Sequence, residues 1–185
     1  MPDSNITKMA LASAMKELME KTPFSKISVG DICELCQMNR KSFYYHFQDK
    51  YDLVNWIYST EFIATVQKKK YLNGWELFED ICAYFEENRR FYVNALQVSG
   101  QNSFHEFFEA MLQKIVRGYL EDEILLQSAH TTFFAVFFTD AFVAAIQRWL
   151  NENAGLSAHD FVGLLREAVG GVAKKIVEDM ERGTL

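Results

Sequence analysis

Proline, cysteine and glycine are all scarce in this chain of 185 residues, at 2, 3 and 9. So few breakers leave no room for a collagen-like repeat or a proline-rich linker. Cys33, Cys36 and Cys82 are an odd set without a disulfide framework, and a reducing cytoplasm is the expected compartment. The N-terminus is polar and lacks an apolar signal core. No stretch alternates apolar and polar residues between turn pairs, so no sheet is expected. Also missing are a nucleophile elbow, a glycine-rich phosphate loop, an HExxH helix and a paired-carboxylate arrangement, so no enzyme is expected. The histidines are scattered, and Cys33-x-x-Cys36 stands alone where zinc would need two more ligands. No metal and no cofactor are expected.

What is present is apolar and helical. Apolar residues make up 49% and charged residues 24%, a globular balance that excludes disorder. The net charge of −6 argues against a general nucleic-acid coat. Its distribution is uneven. Residues 1–60 carry seven bases against seven acids, so all of the excess falls on residues 61–185. Thirteen of the sixteen phenylalanines also lie beyond residue 60. The chain therefore divides into a neutral part and an acidic, aromatic part.

Periodicity and caps place the helices. The first runs from about Ser4 to Met19, with Met9, Ala12, Met15 or Leu11, Leu18 and Met19 inward, and Thr22-Pro23 ends it. Ser28 with Asp31 opens a short second helix, and Asn39 caps a third through Phe47. Asp49 with Asp52 starts a fourth, from Tyr51 to about Lys69. Asn73 and Glu76 cap a fifth, to about Asn88, and a short one follows around Arg89–Val98. The rest read as Phe104–Leu120, Ser128–Asn151 and, after Ser157 with Asp160, Phe161–Met180. The run from Phe133 to Ile146 is broken by Thr139 and Asp140. A spanning helix needs about 20 apolar residues, and a central Asp costs roughly 2.5–3.5 kcal/mol. That run is read as a buried helix, with no membrane involved.

Ile27 to Lys50 carries the function. Two short helices joined by a tight turn form a helix-turn-helix, whose second helix enters the major groove of double-stranded DNA. Cys33 supplies the small residue where the helices cross, Met38 the plug of the turn, and Phe43 with Phe47 the inward pair. Arg40, Lys41, Tyr44 and Tyr45 are left outward, because residues three and four apart share a face. Arg and Lys suit guanine edges or phosphates. Tyrosine hydroxyls and Ser28 suit phosphates, and Lys50 adds charge near the start of the fourth helix. The plainer alternative puts Tyr44, Tyr45 and His46 in an aromatic core and leaves Arg40 and Lys41 solvated.

Ile27-Ser28-Val29-Gly30-Asp31-Ile32, then Asn39 through Lys50 with Phe43-Tyr44-Tyr45-His46-Phe47, then Leu53, resembles the DNA-binding signature of the TetR family. The resemblance implies an all-α fold with a three-helix DNA-binding domain at residues 1–50. It also implies a helical effector-binding and dimerisation domain at residues 51–185. By position, Ser28, Tyr44, Tyr45, His46 and Lys50 would meet the DNA backbone. Arg40 and Lys41, with Asn39 at the cap, would face bases or nearby phosphates. One departure stands out. The family's turn usually carries Gly where this chain has Gln37, at a cost of roughly 1–2 kcal/mol if φ is positive. Asn88 to Leu96 with Gly100 to Phe104 resembles a narrower branch that includes regulators of dihydroxyacetone kinase operons.

The second part offers an effector pocket and a dimer face. Its aromatic set includes Trp75, Phe78, Phe108, Phe134, Phe137, Phe138 and Phe142. Asn102, His105, His130 and Asp140 are the candidate polar groups of a pocket for a small-molecule or protein effector. The alternative is a packed aromatic core. The last two helices are the candidate homodimer interface, with Ala144, Arg148, Leu165, Ala168, Val169, Val172 and Ile176. Gly163, Gly170 and Gly171 inside the last helix are expected to admit a closely packed neighbour. The competing class is a helical adaptor that binds a protein and no DNA.

Overall fold

In the computed structural model, residues 2–98, 100, 102–122, 131–152 and 155–181 are described, and all regular structure among them is helical. Five helix starts follow directly from local side chains. Ser28 and Asp31 form a reciprocal capping box. Asn39, Asp49 and Asn73 each accept from backbone N–H groups of the next turn. Ser157 Oγ accepts from Asp160 N at 3.1 Å. Each cap satisfies donors that a helix start otherwise leaves orphaned.

The first part is a head of three helices: α1 (Pro2–Met19), α2 (Val29–Leu35) and α3 (Arg40–His46). Its core is Leu11, Met15, Met19, Ile32, Cys33, Phe43 and Phe47. Met9, expected inward, is exposed, because Leu11, Met15 and Met19 carry the stripe and Met9 falls off its edge. Helix α4 leaves the head as Lys50–Tyr58, passes through a π turn at Ser59–Ile63 and ends at Ala64–Val66. The sequence reading had one uninterrupted helix there. The wide turn lies where Tyr58 and Phe62 stack, with ring centroids 5.1 Å apart, against the aromatic core of the second part.

The body holds α5 (Gly74–Glu87), α6 (Arg89–Leu96), α7 (Phe104–Asp122), α8 (Thr131–Glu152) and α9 (Ala158–Glu181). Helix α8 packs mainly on α7, and α9 on α5. Tyr58, Phe85, Tyr92, Phe104 and Phe108 interlock at its centre. Burial drives the Tyr58 phenol pKa well up, and its hydroxyl has no hydrogen-bond partner among the described residues. At the far end Trp149 stacks flat on Phe161 at 4.7 Å and donates to Leu156 O, which fixes the turn between α8 and α9.

Head and body meet through polar contacts. Glu61, in the π turn, accepts from Lys16 Nζ of α1 at 2.6 Å and from the Tyr84 hydroxyl of α5 at 2.8 Å. Asn94 of α6 donates to Met19 O at 2.7 Å, and Asn55 of α4 donates to Asn102 O at 3.2 Å. Helix α4 contacts both α1 of the head and α7 of the body.

Candidate nucleic-acid interface

The turn between α2 and α3 is held by its own backbone. Gln37 N donates to Glu34 O at 3.2 Å and Met38 N donates to Cys33 O at 2.8 Å, the paired closure of a Schellman motif. The motif needs a left-handed residue, and Gln37 takes it at φ 56°. The strain expected from the missing glycine is therefore present. Met38 packs against the head core, as a plug should.

Helix α3 shows two contrasting faces. Phe43 and Phe47 are fully buried, whereas Tyr44 is 57% and Tyr45 81% exposed. That difference rejects a core role for the two tyrosines. Tyr45 packs edge-on against His46 at 4.9 Å. With Thr7, Met38, Asn39, Lys41 and Ser42, these two residues line a shallow groove of about 370 Å³ between the start of α1 and α3. Asn39 keeps its capping role, accepting from Ser42 N at 2.8 Å. The groove thus offers hydroxyl, imidazole, amide and ammonium groups that can reach phosphates and base edges.

Ser28 and Lys50 are already engaged within the chain. Ser28 Oγ donates to Asp31 Oδ2 at 2.8 Å and accepts from Asp31 N at 3.2 Å. Asp31 is held below the usual carboxylate range by its bonds from Ser28, and Arg40 and Lys50 add to the effect. Lys50 Nζ donates to Phe24 O, Ser25 O and Ile27 O at 2.8, 3.4 and 2.7 Å, and lies over the Phe24 ring. Burial lowers its pKa. Lys50 is a stitch that ties the Phe24–Lys26 turn to the start of α4. The sequence reading missed this, because the partners stand more than twenty residues away.

The body residues singled out for an effector do not converge. Phe108 is fully buried in the aromatic core. Phe137 and Asp140 face outward on α8, and Asn102 is exposed at φ 67°. Asp140 therefore meets water, with no buried charge to compensate. Phe134 is half-buried. His105 is half-buried and within 3.2 Å of Gln147 Nε2. His130 lies outside the described residues. The body's apolar cleft is instead lined by Trp75, Phe78, Leu112, Val116, Phe138 and Phe142, and encloses about 40 Å³. Trp75, Phe78, Phe138 and Phe142 belong to the expected aromatic set, but Asn102, His105 and Asp140 are not among its described lining residues.

Helix α8 is long and apolar enough to cross a membrane by length and composition, and only 33% of its apolar window is buried. Its open face carries Phe133, Val136, Phe137, Ala141, Ala144 and Arg148. On α9, Leu164 and Ala168 are exposed, while Leu165 and Val169 pack against the body core. The side chains of Val172 and Ile176 lie outside the described residues. Among the described residues nothing comes within 4 Å of a Cβ built on Gly163, Gly170 or Gly171. The close neighbour expected for these glycines is not an element described in this chain.

Comparison with known proteins follows the same division. Residues 11–57 match the family model of bacterial regulatory proteins, tetR family, and residues 73–171 match that of a transcriptional regulator C-terminal region of the TetR type. The chain belongs to the TetR family. The dhaKLM operon transcriptional activator DhaS of Lactococcus lactis subsp. lactis (strain IL1403) is 31% identical over 122 residues, 63% of this chain and 64% of DhaS. The match thus spans just under two thirds of that relative. A solved structure of a dihydroxyacetone kinase operon activator DhaS aligns with TM-score 0.63 and 22% identity, over 91% of this chain and 97% of that one. A TetR regulator from Streptococcus agalactiae 2603V gives TM-score 0.69 at 22% identity, over 88% and 93%. NalD, the secondary repressor of the MexAB-OprM efflux pump in Pseudomonas aeruginosa, gives 0.67 at 19%, over 89% and 95%. At these identities the structures establish the shared TetR fold. The DhaS matches agree with the branch that the Asn88–Phe104 segment resembles.

Proposed function

We propose that this TetR-family protein is a sequence-specific DNA-binding transcriptional regulator of the cytoplasm. It acts as a homodimer on a palindromic operator, with residues 1–50 as reader and 51–185 as dimerising and effector-responsive body. The observation that carries the reading is the outward face of α3. Tyr45 is the most exposed aromatic ring of the head, on a helix whose other face is locked into the core. Lys41 and His46 flank it in one groove. Tyr44, Tyr45, His46 and Lys41 are the residues that meet DNA directly, with Asn39 holding the helix start. Ser28 and Lys50 support them by fixing α2 and α4, and they reach phosphates only by giving up internal bonds.

The open faces of α8 and α9 support dimerisation. Two copies joined through Ala144, Arg148, Ala168 and the neighbouring apolar side chains would cover the apolar area and the unfilled glycines together. An effector, small molecule or protein, acts on the body. Its consequence travels along α4, whose Glu61 holds Lys16 of the head and Tyr84 of the body. A shift of α4 changes the separation of the two recognition helices and so the fit to a palindrome.

The test is a titration of the protein with DNA from the region upstream of its own coding sequence, beside Lys41→Ala and Tyr45→Ala. Binding that weakens as salt rises, and that falls at least tenfold in the variants, supports the reading (about 1.4 kcal/mol). A folded protein that binds the fragment at no salt concentration would instead favour the adaptor class, and variants that bind as the wild type does would move the DNA contact off this face of α3.

A further inference from the structure

Arg40 opens the recognition helix, yet its guanidinium does not lie along the face that carries Lys41 and Tyr45. It lies across α2, over Gly30. A Cβ built on Gly30 would stand 2.5 Å from Arg40 Nη2 and 3.3 Å from its Cζ, with Ser28 Oγ at 3.2 Å. Real Cβ atoms do not approach other groups that closely, so the seat exists only because residue 30 has no side chain. Asp31, the next residue on α2, adds a carboxylate whose charge Arg40 helps to stabilise.

We propose that Gly30 is a positioning residue for DNA binding: by seating the Arg40 guanidinium on α2 it makes Arg40 a phosphate contact and leaves base-edge reading to Lys41 and Tyr45. The inference rests on the DNA-binding reading above. In a helix-turn-helix the first helix crosses the sugar–phosphate backbone while the second enters the groove. A guanidinium parked on the first helix therefore faces phosphate oxygens, which its planar fork grips in a bidentate fashion. Contacts of that kind fix register and carry no sequence information. Any side chain at residue 30 displaces the guanidinium, which is the flexible end of an exposed residue. Gly30 then matters to binding although it touches no DNA.

The experiment compares wild type, Gly30→Ala, Arg40→Ala and the double variant on two duplexes, the upstream fragment and a scrambled one of equal length. Gly30→Ala and Arg40→Ala are each expected to weaken binding to both duplexes about tenfold. Each should also flatten the slope of log affinity against log salt by about 0.9, the signature of one phosphate. The double variant should bind no more weakly than either single. Because alanine is the better helix former, Gly30→Ala should also raise the melting temperature by about 2–4 °C, which separates a lost contact from a lost fold. Gly30→Ala binding as tightly as wild type overturns the proposal. So does an Arg40→Ala variant that loses discrimination between the duplexes with an unchanged slope. A wild type without salt-dependent binding to either duplex defeats the parent reading, and this one with it. Departures confined to the variants defeat this one alone.

Discussion

The head and the body are built from the same helices but solve opposite problems. The head buries a small core and spends its polar residues on fixing geometry: four local features (the capping box, the Asn39 and Asp49 caps and the Schellman turn) and the longer-range Lys50 stitch act within about fifty residues. The body spends aromatic area on packing and leaves an apolar face open on α8 and α9. A reader must hold its side chains still against a fixed lattice of phosphates. A partner surface must instead stay uncovered until a second chain arrives. The contrast teaches that the head fixes its geometry largely with its own polar side chains, whereas the body leaves apolar area uncovered among the described residues.

That contrast can be broken most directly at Ala144, on the exposed face of α8. Ala144→Arg should raise the dimer dissociation constant about a hundredfold or more, since it puts an unpaired charge into an apolar contact. Sedimentation velocity would read this, and circular dichroism should show the head still folded. If Ala144→Arg remains a dimer at the same concentration, the open face has been misassigned. The next largest effect belongs to the head. Lys50→Met leaves three carbonyls without their donor and should cost about 2 kcal/mol in thermal unfolding. Hydrogen exchange should rise around Phe24–Ile27 and not in α8.

Gln37→Gly tests the same region in the other direction. It relieves a left-handed non-glycine residue and should stabilise the head by about 1 kcal/mol. A loss of stability would mean that the Gln37 side chain contributes more than its backbone costs. The smallest effect lies on the body surface, where His159 Nδ1 is 2.7 Å from Glu79 Oε1. The hydrogen bond to Glu79 raises the His159 pKa above its ordinary 6.5. A raised histidine pKa gives a stabilisation that is complete below pH 6.5 and lost as pH rises through the folded-state value. His159→Gln should therefore flatten a slight fall in melting temperature above neutrality, and leave the acid side of that range lower than in wild type.

How much of this was legible in the sequence depends on how far each signal reaches. Caps are local, so Ser28, Asn39, Asp49, Asn73 and Ser157 could all be placed from neighbours three residues away. Phe43 and Phe47 were legible because one turn separates them on a helix with a polar opposite face. Helix α8 gave no such contrast. It is apolar nearly all round, so its inward and outward phenylalanines could not be told apart, and Phe137 was placed in a pocket that it does not line. Lys50 looked like a phosphate ligand because the carbonyls that hold it are distant in sequence. The π turn at Ser59–Ile63 and the seat of Arg40 on Gly30 depend on tertiary contacts that no periodicity encodes.

The central claim is that two heads read one operator at a spacing set by the body. Footprinting of the upstream DNA, combined with the mass of the complex, tests it most directly. The account predicts two protomers per duplex and two symmetric protected half-sites, about one helical turn or a multiple of it apart. A single protected half-site with one protomer bound, or no protection by a folded dimer, would contradict it.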